Sequence, residues 1–187
     1  MKTKHLSVIL AVGAITAATS TVANSAETPQ LNFVCEVSQG VPTTVAQYAG
    51  DDTKLPILHW KEEVLQYKSS SSPQQLCDMV SEKLENYSAQ GYDLSKLSFI
   101  GTAQGGLPVI CANANTAGRP DCSKVLLTLK PVDRADRVAD EVVSGILDKD
   151  LPHQREVIDS DERGVQSFSY EVDFWSLLGL NLKDIGK

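Results

Sequence analysis

The sequence predicts an α+β domain: an antiparallel, meandering sheet with two helices on one face, braced by two disulfides. Three observations predict it. Two segments, around Cys77–Tyr87 and Ala135–Leu147, carry apolar residues at helical spacing, and each follows a capping residue. Short β-branched or alternating runs lie around them, separated by turns that contain glycine. Four cysteines, Cys35, Cys77, Cys111 and Cys122, follow an apolar leader, the setting in which an even count forms a disulfide framework.

The leader comes first. Lys2, Lys4 and His5 precede an uncharged run from Leu6 to Ala18, and small residues continue through Ala23, Ser25 and Ala26. Basic, apolar, then small is the order of a secretory signal. Its apolar run of about 13 residues is shorter than the roughly 20 a spanning helix needs. Residues 1–26 therefore read as a cleaved signal peptide and 27–187 as one exported domain. Within it come a core over 31–150, an acidic loop over 148–164, and a C-terminal strand with an apolar tail over 166–187. Asn32-Phe33-Val34 before Cys35 is too bulky for a lipoprotein signal. Removing 1–26 takes away two lysines and no acid, so the net charge moves from −7 to −9. That balance argues against nucleic acid and against electrostatic capture by anionic lipid.

Leu31–Ser38 reads as a strand, Thr43–Tyr48 pairs back on it, and Leu55–Trp60 and Val64–Tyr67 continue the meander. Ser72-Pro73 with Gln75 is a capping box with proline at the first helical position, opening a helix that stops at Gly91. Cys77, Val80, Leu84 and Tyr87 share one face of it. Leu97–Ala103 and Leu107–Ala112 are strands about a Gly105-Gly106 turn, and Lys124–Lys130 returns beside them. Asp133 caps a second helix with the stripe Ala135, Val138, Ala139, Val142 and Ile146. Asp148–Gly164 reads as an acidic loop. Ser167–Phe174 alternates as a half-buried strand, before an apolar tail that includes Trp175 and Leu178.

Four cysteines allow three pairings. The inward face of the first helix carries Cys77 toward the sheet, which favours Cys35–Cys77 with Cys111–Cys122; the runner-up joins Cys35 to Cys111. No C-x-x-C occurs, so thioredoxin-like and zinc-ribbon readings lack support.

Phe33-x-Cys35, Ser72-Pro73 followed by Cys77, Val109-Ile110-Cys111, Cys122 and Leu126-Leu127-Thr128-Leu129-Lys130-Pro131 occur here in one order. The chain thereby resembles the cyanobacterial circadian oscillating protein family over residues 31–150. The resemblance implies an exported domain of unassigned activity, membrane association and rhythmic abundance. One position departs from the pattern. Leu76 stands where the family carries arginine before the helix cysteine. The resemblance brings no catalytic residue with it.

A nucleophilic hydrolase needs a base beside its nucleophile. After the leader only His59 and His153 remain, and no G-x-S-x-G elbow exists. Asp159-Ser160-Asp161 opens like a calcium loop, but Arg163 and Tyr170 fall where ligands are required. Two surfaces are candidates instead. One is the stapled polar loop with Asn113, Asn115, Arg119 and Asp121, read as a binding loop. The other is the tail, with Phe174, Trp175 and Leu178 as an interface or as a segment that docks on the core.

The resulting expectation is a non-catalytic, disulfide-stabilised binding or structural module of the cell envelope. An envelope hydrolase using acidic residues and a weak calcium-binding envelope protein are the alternatives. No catalytic residue, metal or cofactor is assigned. The partner is an unknown protein or envelope component, with peripheral membrane association. The destination is the periplasm, the cell surface or the thylakoid lumen.

Overall fold

The computed structural model describes residues 31–48, 52–92, 94–114, 122, 124–158 and 165–177. The signal peptide expected over 1–26 lies outside them. The α+β class, the antiparallel pairing and both expected disulfides are present. The strands sort into two sheets. β1 (Leu31–Ser38), β2 (Val41–Tyr48) and β3 (Lys54–His59) form one in chain order. β4 (Lys96–Gln104), β5 (Leu107–Asn113), β6 (Lys124–Thr128), β7 (His153–Ile158) and β8 (Ser167–Asp173) form the other, ordered β6-β5-β4-β8-β7. The helices are α1 (Glu62–Leu65), α2 (Pro73–Ala89), α3 (Ala135–Ile146) and α4 (Phe174–Leu177).

Each long helix serves one sheet. α2 begins where its capping box begins: Ser72 Oγ accepts from the Gln75 amide at 3.3 Å and Gln75 Oε1 accepts from the Ser72 amide at 2.9 Å. Its Leu76, Cys77, Val80, Leu84 and Tyr87 are buried against β1 and β2. It also closes the outer edge of β1. Glu85 Oε2 accepts from the Phe33 amide at 2.7 Å, and Ser88 Oγ donates to the Leu31 carbonyl at 2.6 Å. α3 lies on β4 and β5. One apolar core runs through both units, from Phe33, Ile57 and Trp60 to Phe99, Ile146 and Tyr170. Inside it, Trp60 Nε1 donates to Thr44 Oγ1 at 2.9 Å and Ser81 Oγ donates to the same atom at 3.0 Å, so the buried polar atoms are partnered.

The β4–β5 hairpin turns at Gly105 and Gly106, with φ of 59° and 81°. A two-residue turn whose twist matches the strands needs positive φ at both positions, which glycine supplies without a steric penalty.

Three expectations are corrected. Val64–Tyr67 is not a strand. Glu62 and Glu63 favour the first turn of a short helix, and Leu65 is its buried residue. Asp133 is not the cap of the second helix. Arg134 holds that place with φ 58° and no side-chain cap bond. Within the expected acidic loop over 148–164, residues 153–158 form the edge strand β7. Its residues are exposed except Ile158, so no apolar alternation marks it.

Candidate functional site

The chain's described histidines frame the site question. β3 ends on His59, while the chain leaving α3 turns back at Leu147 and Asp148. Leu147 bridges to Leu58, and the Asp148 amide donates to the Ile57 carbonyl at 2.8 Å. This places His59 Nε2 2.5 Å from Asp148 Oδ2 and His59 Nδ1 3.1 Å from Thr43 Oγ1. The second Asp148 oxygen accepts from the Asp150 amide at 2.7 Å. A cavity of about 380 Å³ opens beside them, walled by Gln39, Lys61 and Lys149 among others. Hydroxyl, imidazole and carboxylate in a row have the outline of a hydrolytic triad. Thr43 is 0% exposed, however, and its hydroxyl also lies 3.0 Å from the Val41 carbonyl. An oxygen with no open face cannot reach a substrate carbonyl. Both ring nitrogens are engaged as well. The arrangement fastens β2 and β3 to the end of α3.

The second candidate is the stapled loop. Cys111 is fully buried in β5 and joined to Cys122 across a sequence separation of 11. It packs with Ile100, Val109 and Ile158 in a small apolar cluster separate from the main core. Asn113 is the last residue of β5, paired with Ser98 and buried. Asn115, Arg119 and Asp121 lie outside the described residues. The structure therefore describes a braced base with Asn113 inside it.

Of the tail, Phe174 is fully buried. Its ring meets Phe33 edge to face at 6.4 Å, and its amide donates to the Ser95 carbonyl at 2.8 Å. Leu177 packs against the core from a partly buried position. Leu178 and the Trp175 side chain lie outside the described residues. The other disulfide ties Cys35 of β1 to Cys77 of α2 at a Cα separation of 5.5 Å. Among the described residues, no three His, Cys, Asp or Glu gather as metal ligands, and no helix is long and apolar enough to cross a membrane.

One polar cluster escaped the sequence entirely. Tyr170 of β8 donates to Asp140 Oδ1 of α3 at 2.5 Å, and Arg155 of β7 donates to Asp140 Oδ2 at 2.9 Å and to the Tyr170 oxygen at 3.1 Å. The guanidinium also covers the Phe168 ring at 4.8 Å. These residues stand 15 and 30 positions apart, so only the fold unites them. Burial, then the bond to Asp140, raises the Tyr170 hydroxyl above its ordinary value of 10.0. The bond to Asp140 likewise raises Arg155. A raised tyrosine holds its proton in the folded state after the unfolded chain has lost it. Its contribution is complete below about pH 10 and is lost as pH climbs toward the folded value. Tyr170→Phe is expected to lower stability by about 2 kcal/mol at neutral pH, since a bond to a charged acceptor is removed. It should also flatten the alkaline fall in the urea midpoint. An unchanged alkaline limb would contradict this account.

The family described as circadian oscillating protein COP23 matches residues 32–178, most of the chain. No curated protein and no solved structure matches it.

Proposed function

The chain belongs to the circadian oscillating protein COP23 family, and from that premise we propose that it is a non-catalytic, disulfide-stabilised binding or structural module of the cell envelope. One observation carries the reading. Each sheet is tied by its own disulfide, one holding α2 on β1 and the other closing the base of the loop after β5. Such bonds persist in oxidising compartments, and they stiffen a small domain without supplying chemistry. The leader over 1–26 supports export to the periplasm, the cell surface or the thylakoid lumen. The burial of Thr43 beside His59 supports a structural use of that pair. Peripheral membrane association and rhythmic abundance belong to the same proposal. The loop through Asn115, Arg119 and Asp121 is its contact surface.

Fractionation with and without a high-salt wash, followed by mass spectrometry of the native protein, tests the reading. The expected result is a shortened N-terminus, four oxidised cysteines and release by salt. An intact N-terminus with free thiols would overturn it. A second result is expected for Cys111→Ala with Cys122→Ala. Stability should fall by about 3 kcal/mol in the chain-entropy model. Circular dichroism should be retained, while recovery of the envelope partner is lost. Equal recovery from wild type and variant would remove the loop from the proposal.

A further inference from the structure

The two sheets present four outer edges, and they are not treated alike. The edge of β1 is closed by Glu85 and Ser88 of α2. The edge of β3 is met by Leu147 and Asp148. The edge of β7 carries exposed Arg155 and Glu156, charges that discourage pairing. The edge of β6 is met at its far end, where the Lys130 amide donates to the Lys68 carbonyl at 2.9 Å, and is open between that bond and Lys83. After Lys124 at the start of β6, the run Val125-Leu126-Leu127-Thr128-Leu129 is uncharged. The side-chain guard over it is Lys83 of α2, whose ammonium lies 2.8 Å from the Leu126 carbonyl and 3.4 Å from that of Val125.

The backbone direction follows from two bonds. The Leu129 amide donates inward to the Pro108 carbonyl at 2.9 Å, while the Leu126 carbonyl meets Lys83 on the outer side. Along a strand, backbone groups alternate in direction, so Thr128 presents its amide and carbonyl outward between them. A groove of about 410 Å³ runs along this edge, walled by Ser70, Met79, Lys83, Val125, Thr128 and Lys130 among others. That volume falls in the range of ligand sites, roughly 300–1,000 Å³. Val125 and Thr128 are exposed on it. In a protein of net charge −7, the charged residues lining this groove are two lysines and no acid.

We propose that the β6 edge, between Lys83 and the serine loop over residues 69–71, accepts an extended acidic peptide segment of a partner protein as an added strand. The proposal rests on the binding-module reading and names the chemistry of the partner. Main-chain hydrogen bonds to Thr128 and Leu126 supply the pairing. Lys83 leaves the carbonyls it guards and, with Lys130, meets the carboxylates of the incoming strand.

The test uses the disulfide-intact protein and a fluorescent peptide alternating valine with glutamate, read by anisotropy. The controls are the same peptide with lysine in place of glutamate, and the glutamate peptide N-methylated at alternate amides. The glutamate peptide is expected to bind about tenfold more tightly than the lysine peptide, and N-methylation to abolish binding. Lys83 is exposed on α2, so Lys83→Glu keeps the fold. It is expected to remove the preference between the two peptides, because the introduced carboxylate offsets Lys130. Backbone amide shifts on binding should cluster at residues 124–130. Equal binding of both peptides, an unchanged preference in Lys83→Glu, or shifts clustered elsewhere would overturn the proposal. Failure of the peptide to bind at all overturns the groove and leaves the module reading standing. That reading falls on the fractionation result alone.

Discussion

Replacing Cys35 and Cys77 together by alanine is expected to lower the unfolding free energy by about 4 kcal/mol, read from urea denaturation. The bond spans a sequence separation of 42, and the segment it closes contains the end of β1, all of β2 and β3, α1 and the first turn of α2. The cost comes from the unfolded chain, which regains the freedom of that long loop. The folded side is little disturbed, because Cys77 is fully buried among apolar neighbours and alanine leaves only a small gap. With total stabilities of about 5–15 kcal/mol, a loss of this size exposes the domain to unfolding at modest temperature. The shorter Cys111–Cys122 loop gives the smaller figure of about 3 kcal/mol by the same reasoning. A double variant within about 1 kcal/mol of wild type would mean that the apolar face of α2, rather than the covalent tie, holds it on β1.

The contrast between α2 and β7 explains how much of this fold was legible in the sequence. α2 declares itself locally. Ser72, Pro73 and Gln75 mark its start, and Cys77, Val80, Leu84 and Tyr87 mark its buried face, all within four turns. The inward direction of Cys77 was enough to favour the correct disulfide. β7 declares nothing, because an edge strand exposed on both faces has no reason to alternate apolar with polar residues. β8 was legible as a strand from Phe168, Tyr170 and Val172. Its place between β4 and β7 was not, since pairing partners far apart in sequence leave no periodic trace. The same limit hid the site geometry. Asp148 was visible only as one acid in an acidic stretch, while its partner His59 stands 89 residues away. Asp140, Arg155 and Tyr170 each looked like an ordinary surface or strand residue until α3 was laid across the sheet. The apolar character of Val125–Leu129 was plain, but whether it sat at the centre or the edge depended on the strand order.

That laying of α3 across the sheet depends on one atom's absence, and the second large effect is expected there. Gly101 sits in β4 directly beneath α3. A Cβ at this position would stand 2.8 Å from the Ala139 carbonyl carbon, 2.8 Å from the Asp140 amide nitrogen and 2.9 Å from the Ala139 oxygen. These are backbone atoms and cannot rotate aside, so Gly101→Ala must lift the helix. The expected cost is about 3 kcal/mol, the upper end for overpacking, even though alanine regains some strand propensity. Gly145 of α3 makes the control. A Cβ there would also come close to other atoms, but these are the two methyls of Val64 in the short helix α1, at 2.8 and 3.1 Å, the end of a side chain rather than backbone. Gly145→Ala is expected to cost about 1 kcal/mol. Lifting α3 has a further consequence, because Asp140 leaves Tyr170 and Arg155 as it moves. Gly101→Ala should therefore weaken the alkaline fall in stability, less completely than Tyr170→Phe because burial is the larger cause of the raised tyrosine, while Gly145→Ala keeps it. Equal costs at the two glycines, with the alkaline limb intact in both variants, would show that α3 reaches the sheet through flexible side chains rather than backbone against backbone.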